Sequence, residues 1–151
     1  MTDIHLAVGD QVTFAKTVAE SDIYQFAGIT GDFAGNHVNE EYMKRSVYGR
    51  RIAHGALLIG FMSTASSMMI ARANGASGAK KGADGDETPV SLGYDRIRFL
   101  APVFIGDTVE VTYSVAEIDP ARRRSRAKIE VLNQNRQTVA VAEHILKWVG
   151  R

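Results

Sequence analysis

Asp32 and His37 stand five residues apart in the segment Gly31-Asp32-Phe33-Ala34-Gly35-Asn36-His37. A His-Gly step follows in Arg51-Ile52-Ala53-His54-Gly55-Ala56-Leu57-Leu58, where an apolar stretch begins. A carboxylate and an imidazole can take up and release protons near neutral pH. A helix starting at a His-Gly step would add unpaired N–H groups and the positive end of its dipole, which favour developing negative charge. Proton transfer beside an oxyanion is the chemistry these residue types can do together. Alone, an Asp and a His at this spacing read more readily as two polar residues of an ordinary loop.

The elements around the segment decide whether it can be aimed. Gln11 to Val18 alternates as a strand after the Gly9-Asp10 turn. Ser21 is the expected N-cap of a short helix from Asp22 to Ala27, with Gly28 and Gly31 at its end. Asn39 is the expected cap of a second short helix, Glu40 to Val47. A long helix is expected over about Ile52 to Ala73, with so few charges that it should be buried almost all round. Asn74 to Thr88, rich in glycine and lacking large apolar residues, reads as a surface loop.

Strand patterns dominate after Pro89. Val90 to Leu100, Thr108 to Ile118, Ser125 to Leu132 and Thr138 to Trp148 are the expected strands, with Val109, Val111, Tyr113 and Val115 on one face. Asp119-Pro120 and Asn133-Gln134-Asn135-Arg136 are turns. Strands in succession joined by short turns imply an antiparallel sheet, and the apolar helix has only the sheet's concave face on which to bury itself. The expected fold is α+β: one domain over residues 1–151, with the sheet wrapped around one long buried helix.

Composition narrows the function. A chain of 151 residues, 45% hydrophobic, carries enough apolar material for one core. Lys plus Arg number 18 against 17 Asp plus Glu, a balance that disfavours nucleic-acid binding. No cysteine is present, which excludes disulfides, thiolate metal sites and a cysteine nucleophile. The first residues, Met1-Thr2-Asp3-Ile4-His5, lack the basic and apolar parts of a secretory leader, so a cytoplasmic protein is expected. Polar residues from His54 to Arg72 interrupt the long apolar stretch, which reads as a core helix and not a membrane span.

The chain resembles the MaoC-like (R)-specific enoyl-CoA hydratases of the hot-dog fold. Four pieces carry the likeness: Tyr24 to Asp32 ending in Thr-Gly-Asp, Asp32 with His37, Gly49-Arg50-Arg51-Ile52-Ala53-His54-Gly55-Ala56-Leu57, and Arg98 to Thr108. Ala34, Gly35 and Asn36 replace the family's usual Asn, Pro and aliphatic residue, which relaxes the backbone restriction that Pro imposes. Met43 stands where a small residue is usual, a hint of a shorter acyl pocket.

The resemblance implies reversible hydration of a trans-2-enoyl-CoA to an (R)-3-hydroxyacyl-CoA. It implies Asp32 as base toward water, His37 as partner in protonating C2, Gly55 N–H as oxyanion donor and Ser63 near the catalytic water. An oxyanion donor of this kind contributes roughly 3–4 kcal/mol. No metal and no cofactor is implied beyond the coenzyme A of the substrate, and the resemblance points to a homodimer or larger homo-oligomer. A thioesterase of the same fold and a non-catalytic acyl-CoA-binding protein are the alternatives.

The remaining candidates have plainer readings. Gly55 could serve close packing, and Ser63 could bond back along its helix. His54 reads as a structural residue at the helix start, and His5 and His144 as uninvolved. Met62, Met68 and Met69 read as core filler. Arg50, Arg51, Lys80, Lys81 and Arg122 to Arg124 could face coenzyme A phosphates but carry no phosphate-binding motif, and read as solvated cations.

Overall fold

The computed structural model describes residues 4–76 and 87–150. The elements are β1 (Gln11–Thr17), α1 (Glu20–Thr30), α2 (Gly35–Val38), α3 (Glu40–Met43), α4 (Gly55–Ala76), β2 (Glu87–Phe99), β3 (Thr108–Asp119), β4 (Arg124–Leu132) and β5 (Thr138–Gly150). Residues 77–86, the body of the expected glycine-rich loop, and Lys80 and Lys81 with them, lie outside the described residues.

The five strands form one antiparallel sheet in the order β1-β3-β4-β5-β2. Succession in the chain predicts β2 beside β3, but β2 lies at the edge against β5, and β1 takes the place next to β3. Residues 100–107 therefore cross from one edge of the sheet toward the other. A turn pins the crossing: Asp107 accepts from Phe104 N–H at 2.9 Å and from Gln134 Nε2 at 2.9 Å, and Gly106 N–H and Val18 C=O bond at 2.7 Å.

α4 packs chiefly on β1 and β3. Leu58, Met62, Ala65, Met69 and Ala73 recur at helical spacing and are buried, with Phe61 and Ser66 beside them. Facing them from the sheet are Val109, Val111, Tyr113 and Val115, the face the alternation marks, with Ala127, Ile129 and Val131 of β4. Each fully buried Met or Leu contributes about 1.5–3 kcal/mol relative to exposure.

The helix is not buried all round. Ala56, Gly60, Ser63, Ser67 and Met68 lie on its exposed side, because the sheet of one chain covers only part of a cylinder. Met62 and Met69 are core filler, whereas Met68 is 39% exposed. By length and composition Gly55–Ala73 could cross a membrane. Here its apolar side packs on the sheet instead.

The expected helix boundaries shift for local reasons. Ala19, not Ser21, is the N-cap of α1: the Asp22 carboxylate accepts from Ala19 N–H at 2.8 Å, so Ser21 falls inside the first turn. Asn39 does cap α3, accepting from Tyr42 N–H at 2.9 Å, but the helix ends at Met43 rather than Val47. α4 starts at Gly55, since Ile52 is held in a bridge to Phe104 and Ala53 N–H donates to Val103 C=O at 2.7 Å.

His144 sits fully buried on β5. Ser91 Oγ lies 2.8 Å from its Nε2, Tyr113 OH 3.0 Å from its Nδ1, and the Tyr94 ring is stacked at 4.4 Å. Burial disfavours the charged ring and pushes the pKa from the ordinary 6.5 down to about 4. Between those values the unfolded chain binds a proton that the folded chain refuses, so His144 supports the fold fully above pH 6.5 and loses that support toward pH 4. Urea unfolding across this window should show the native protein losing stability with a slope that His144→Gln reduces by about one proton. Parallel pH profiles for the two proteins would contradict the buried neutral imidazole.

Candidate active site

α1 ends at Gly31, whose φ of 82° is the left-handed conformation glycine adopts most readily, with its N–H bonded to Ala27 C=O at 2.8 Å. Asp32 follows at once and is exposed. Its backbone N–H donates to Thr30 Oγ1 at 3.2 Å, and its Oδ1 accepts from Ala34 N–H at 3.2 Å. Gly35, expected to loosen the loop, instead opens α2, a single helical turn that carries His37.

A short extended piece, Arg51 to His54, holds this segment. His37 Nδ1 lies 2.8 Å from Ile52 C=O; a carbonyl only accepts, so Nδ1 carries the proton and Nε2 keeps its lone pair. Ile52 N–H donates to Asn36 C=O at 3.0 Å. His54 Nε2 in turn lies 2.9 Å from Asp32 C=O and must be the donor.

The His37 and His54 rings stack with centroids 3.8 Å apart and planes at 27°, and Phe26 packs on His54 at 4.7 Å. One Asp32 carboxylate oxygen and one nitrogen from each histidine lie within 4.8 Å of one another. Stacked imidazoles direct their in-plane lone pairs side by side rather than toward a common point. The trio is therefore poorly shaped to share a cation and well shaped to aim a proton-transfer pair.

Arg51 anchors the same piece from outside. It bonds Glu20 at 2.5 Å, Glu40 at 3.0 Å and Tyr24 OH at 3.2 Å, with only 11% of its side chain exposed. This is a clamp joining α1 to α3, not the solvated cation the sequence suggests. Arg50 lies 3.9 Å over the Phe104 ring.

His37 and Gly55 open onto a cleft of about 420 Å³, whose walls include Asn36, Tyr48, Phe99 and Leu100. Gly55 is the first residue of α4, so its N–H has no acceptor within the helix. A Cβ on Gly55 would meet the Phe99 ring at 2.7 Å. Close approach thus does require glycine, and the same bareness leaves the N–H reachable.

The structure brings Asp32, His37 and Gly55 to one region and Ser63 to another part of α4. Ser63 lies two turns along, on the exposed side, close enough to the Tyr94 hydroxyl to act on its titration. Burial raises the Tyr94 pKa, and Ser63 partly offsets this. Met43 is fully buried and is not part of the cleft wall. Among the described residues, Asp32 is left exposed rather than enclosed by apolar side chains. His54 is the residue that spacing undervalued: its adjacency to Gly55 is visible in sequence, but its stacking on His37 is not.

Comparison with known proteins bears on this geometry. The sequence profile of the family described as MaoC like domain matches residues 4–140. An (R)-specific enoyl-CoA hydratase of Rhodospirillum rubrum is 37% identical over 116 residues, 76% of this chain and 69% of that protein. A 3-hydroxybutyryl-CoA dehydratase of Methylorubrum extorquens is 36% identical over 122 residues, 80% of this chain and 68% of that protein. Among solved structures, the R-hydratase PhaJ1 of Pseudomonas aeruginosa superposes with a TM-score of 0.72 at 27% identity, covering 97% of this chain and 84% of that one. An (R)-hydratase from A. caviae shares the fold, with a TM-score of 0.76 at 22% identity over 96% of this chain and 98% of that one.

Because the Phe99 ring is 51% exposed, it can swing aside at small cost when Gly55 gains a methyl group. Gly55→Ala should change the unfolding free energy by no more than about 1 kcal/mol in urea titration. A crystal structure of the variant should show the ring displaced at the cleft. An undisplaced ring would mean that the close approach does not set the cleft's shape.

Proposed function

This chain belongs to the MaoC-like family, and from that premise we propose that it catalyses reversible hydration of a trans-2-enoyl-CoA to an (R)-3-hydroxyacyl-CoA. The observation that carries the reading is the Asp32 carboxylate beside an His37 whose proton is fixed on Nδ1, next to the bare N–H of Gly55. In this scheme Asp32 takes a proton from water as the water oxygen bonds to C3. The C2=C3 electron pair moves toward the thioester oxygen, which Gly55 N–H receives. The proton held by Asp32 passes to the free Nε2 of His37, which delivers it to C2 as the enolate collapses. Water is consumed, and no electron leaves the substrate.

Ser63, on the exposed side of α4, is proposed to meet the substrate or its water there. The scheme asks for no metal or redox cofactor, since coenzyme A arrives with the substrate. The protein is proposed to work in the cytoplasm.

Loss of the ultraviolet absorbance of the conjugated enoyl thioester measures this reaction directly. Asp32→Asn and His37→Ala should each lower kcat by at least about a hundredfold, the lower end of the range for general acid–base groups. Thiol release in place of absorbance loss would mean hydrolysis, and tight binding without turnover would mean a binding protein. Unchanged rates in both variants would remove the pair from the mechanism.

A homodimer is proposed as the working form. Asp32 is open in one chain, β2 is an unpaired edge among the described residues, and Leu92, Phe99 and Leu100 are 47%, 51% and 57% exposed along and just after it. Light scattering at micromolar concentration should give twice the chain mass of 16.5 kDa or a higher multiple. A monomer mass would contradict the proposal.

A further inference from the structure

We propose that His54 is a positioning residue for both members of the catalytic pair, an inference that rests on the reading of Asp32 and His37 given above. His54 is 1% exposed and donates through Nε2 to the Asp32 carbonyl at 2.9 Å. The remaining backbone tie of Asp32, its N–H to Thr30 Oγ1, stays on the α1 side. The His54 bond is thus what fixes Asp32 to the piece of chain that leads directly into Gly55, and so sets the carboxylate relative to the oxyanion donor.

The ring acts on His37. The Nδ1–H bond to Ile52 leaves the His37 ring free to tilt about that bond, and the His54 face at 3.8 Å, backed by Phe26, blocks the tilt. Space filling does not account for an imidazole here. Its Nδ1 is buried with no partner among the described residues, a cost that an apolar side chain of similar size would avoid. What an apolar residue could not supply is the N–H to Asp32.

Two variants separate the contributions. His54→Gln keeps a donor that reaches toward the Asp32 carbonyl but removes the ring; His54→Phe keeps a ring and removes the donor. Each should lower kcat about tenfold or more with KM within about twofold, in line with the cost of small misplacements of reacting groups. In proton NMR, the His37 ring signals should move downfield in His54→Gln, where the stacked face is lost, and stay near their native positions in His54→Phe. Urea unfolding of both variants keeps a folding defect apart from a kinetic one, and if His54→Phe does not fold, His54→Gln alone decides.

Native-like kcat in a folded variant would overturn the inference, as would a loss confined to KM or unmoved His37 signals in His54→Gln. Should the native protein itself not turn over an enoyl-CoA, the hydratase reading fails, while the His37 signals still report whether His54 holds that ring.

Discussion

The arrangement depends on one short seam, where the backbone of residues 51–54 runs against residues 32–37. Ile52 gives its N–H to Asn36 and its carbonyl to His37, and His54 reaches back to the Asp32 carbonyl. Buried polar groups of the backbone must find partners, and here they find them across the site rather than within a helix or the sheet. The seam therefore satisfies the backbone and aims the side chains at once. The Arg51 ion pairs close it from one side, and the Ala53 bond to Val103 joins it to the crossing segment on the other.

The crossing segment explains why Gly55 lies where it does. β2 pairs at the far edge from β1, so the chain must return over the start of α4 before it can enter β3. That passage brings Phe99 against Gly55 and gives the cleft the wall formed by Leu100 to Val103. A different strand order would leave the helix start open, with nothing to shape a substrate against its N–H.

Much of this was legible in the sequence, and for physical reasons. Period-two alternation marks β3, β4 and β5 to within a residue or two because each has one face wholly in the core. Asn39 could be read as a cap from its type alone. Strand order could not be read, because pairing between β2 and β5 is set by a crossing that leaves no local pattern. Nor could the exposed side of α4: its small residues look the same whether they pack on a sheet or face away from it. At the site, the types Asp, His and Gly were readable, and the stacking of His54 on His37 was not. The role of Arg51 was hidden because its partners, Glu20 and Glu40, lie 31 and 11 residues away.

The pairing of β1 with β3 also bears on how the molecule comes into being. Gln11 meets Ser114 across 103 residues of chain. During synthesis β1 leaves the ribosome roughly 5–20 s before the strand that pairs with it, and α1 and the Asp32 to His37 turn follow β1 well ahead of that strand. Through that interval Asp32 and His37 are followed by the 51–54 seam but not yet by the sheet beside it, while β3, β4 and β5, joined by tight turns, can close on one another as they appear. Asp32 and His37 are thus among the first residues made, and the sheet on their side is completed only later.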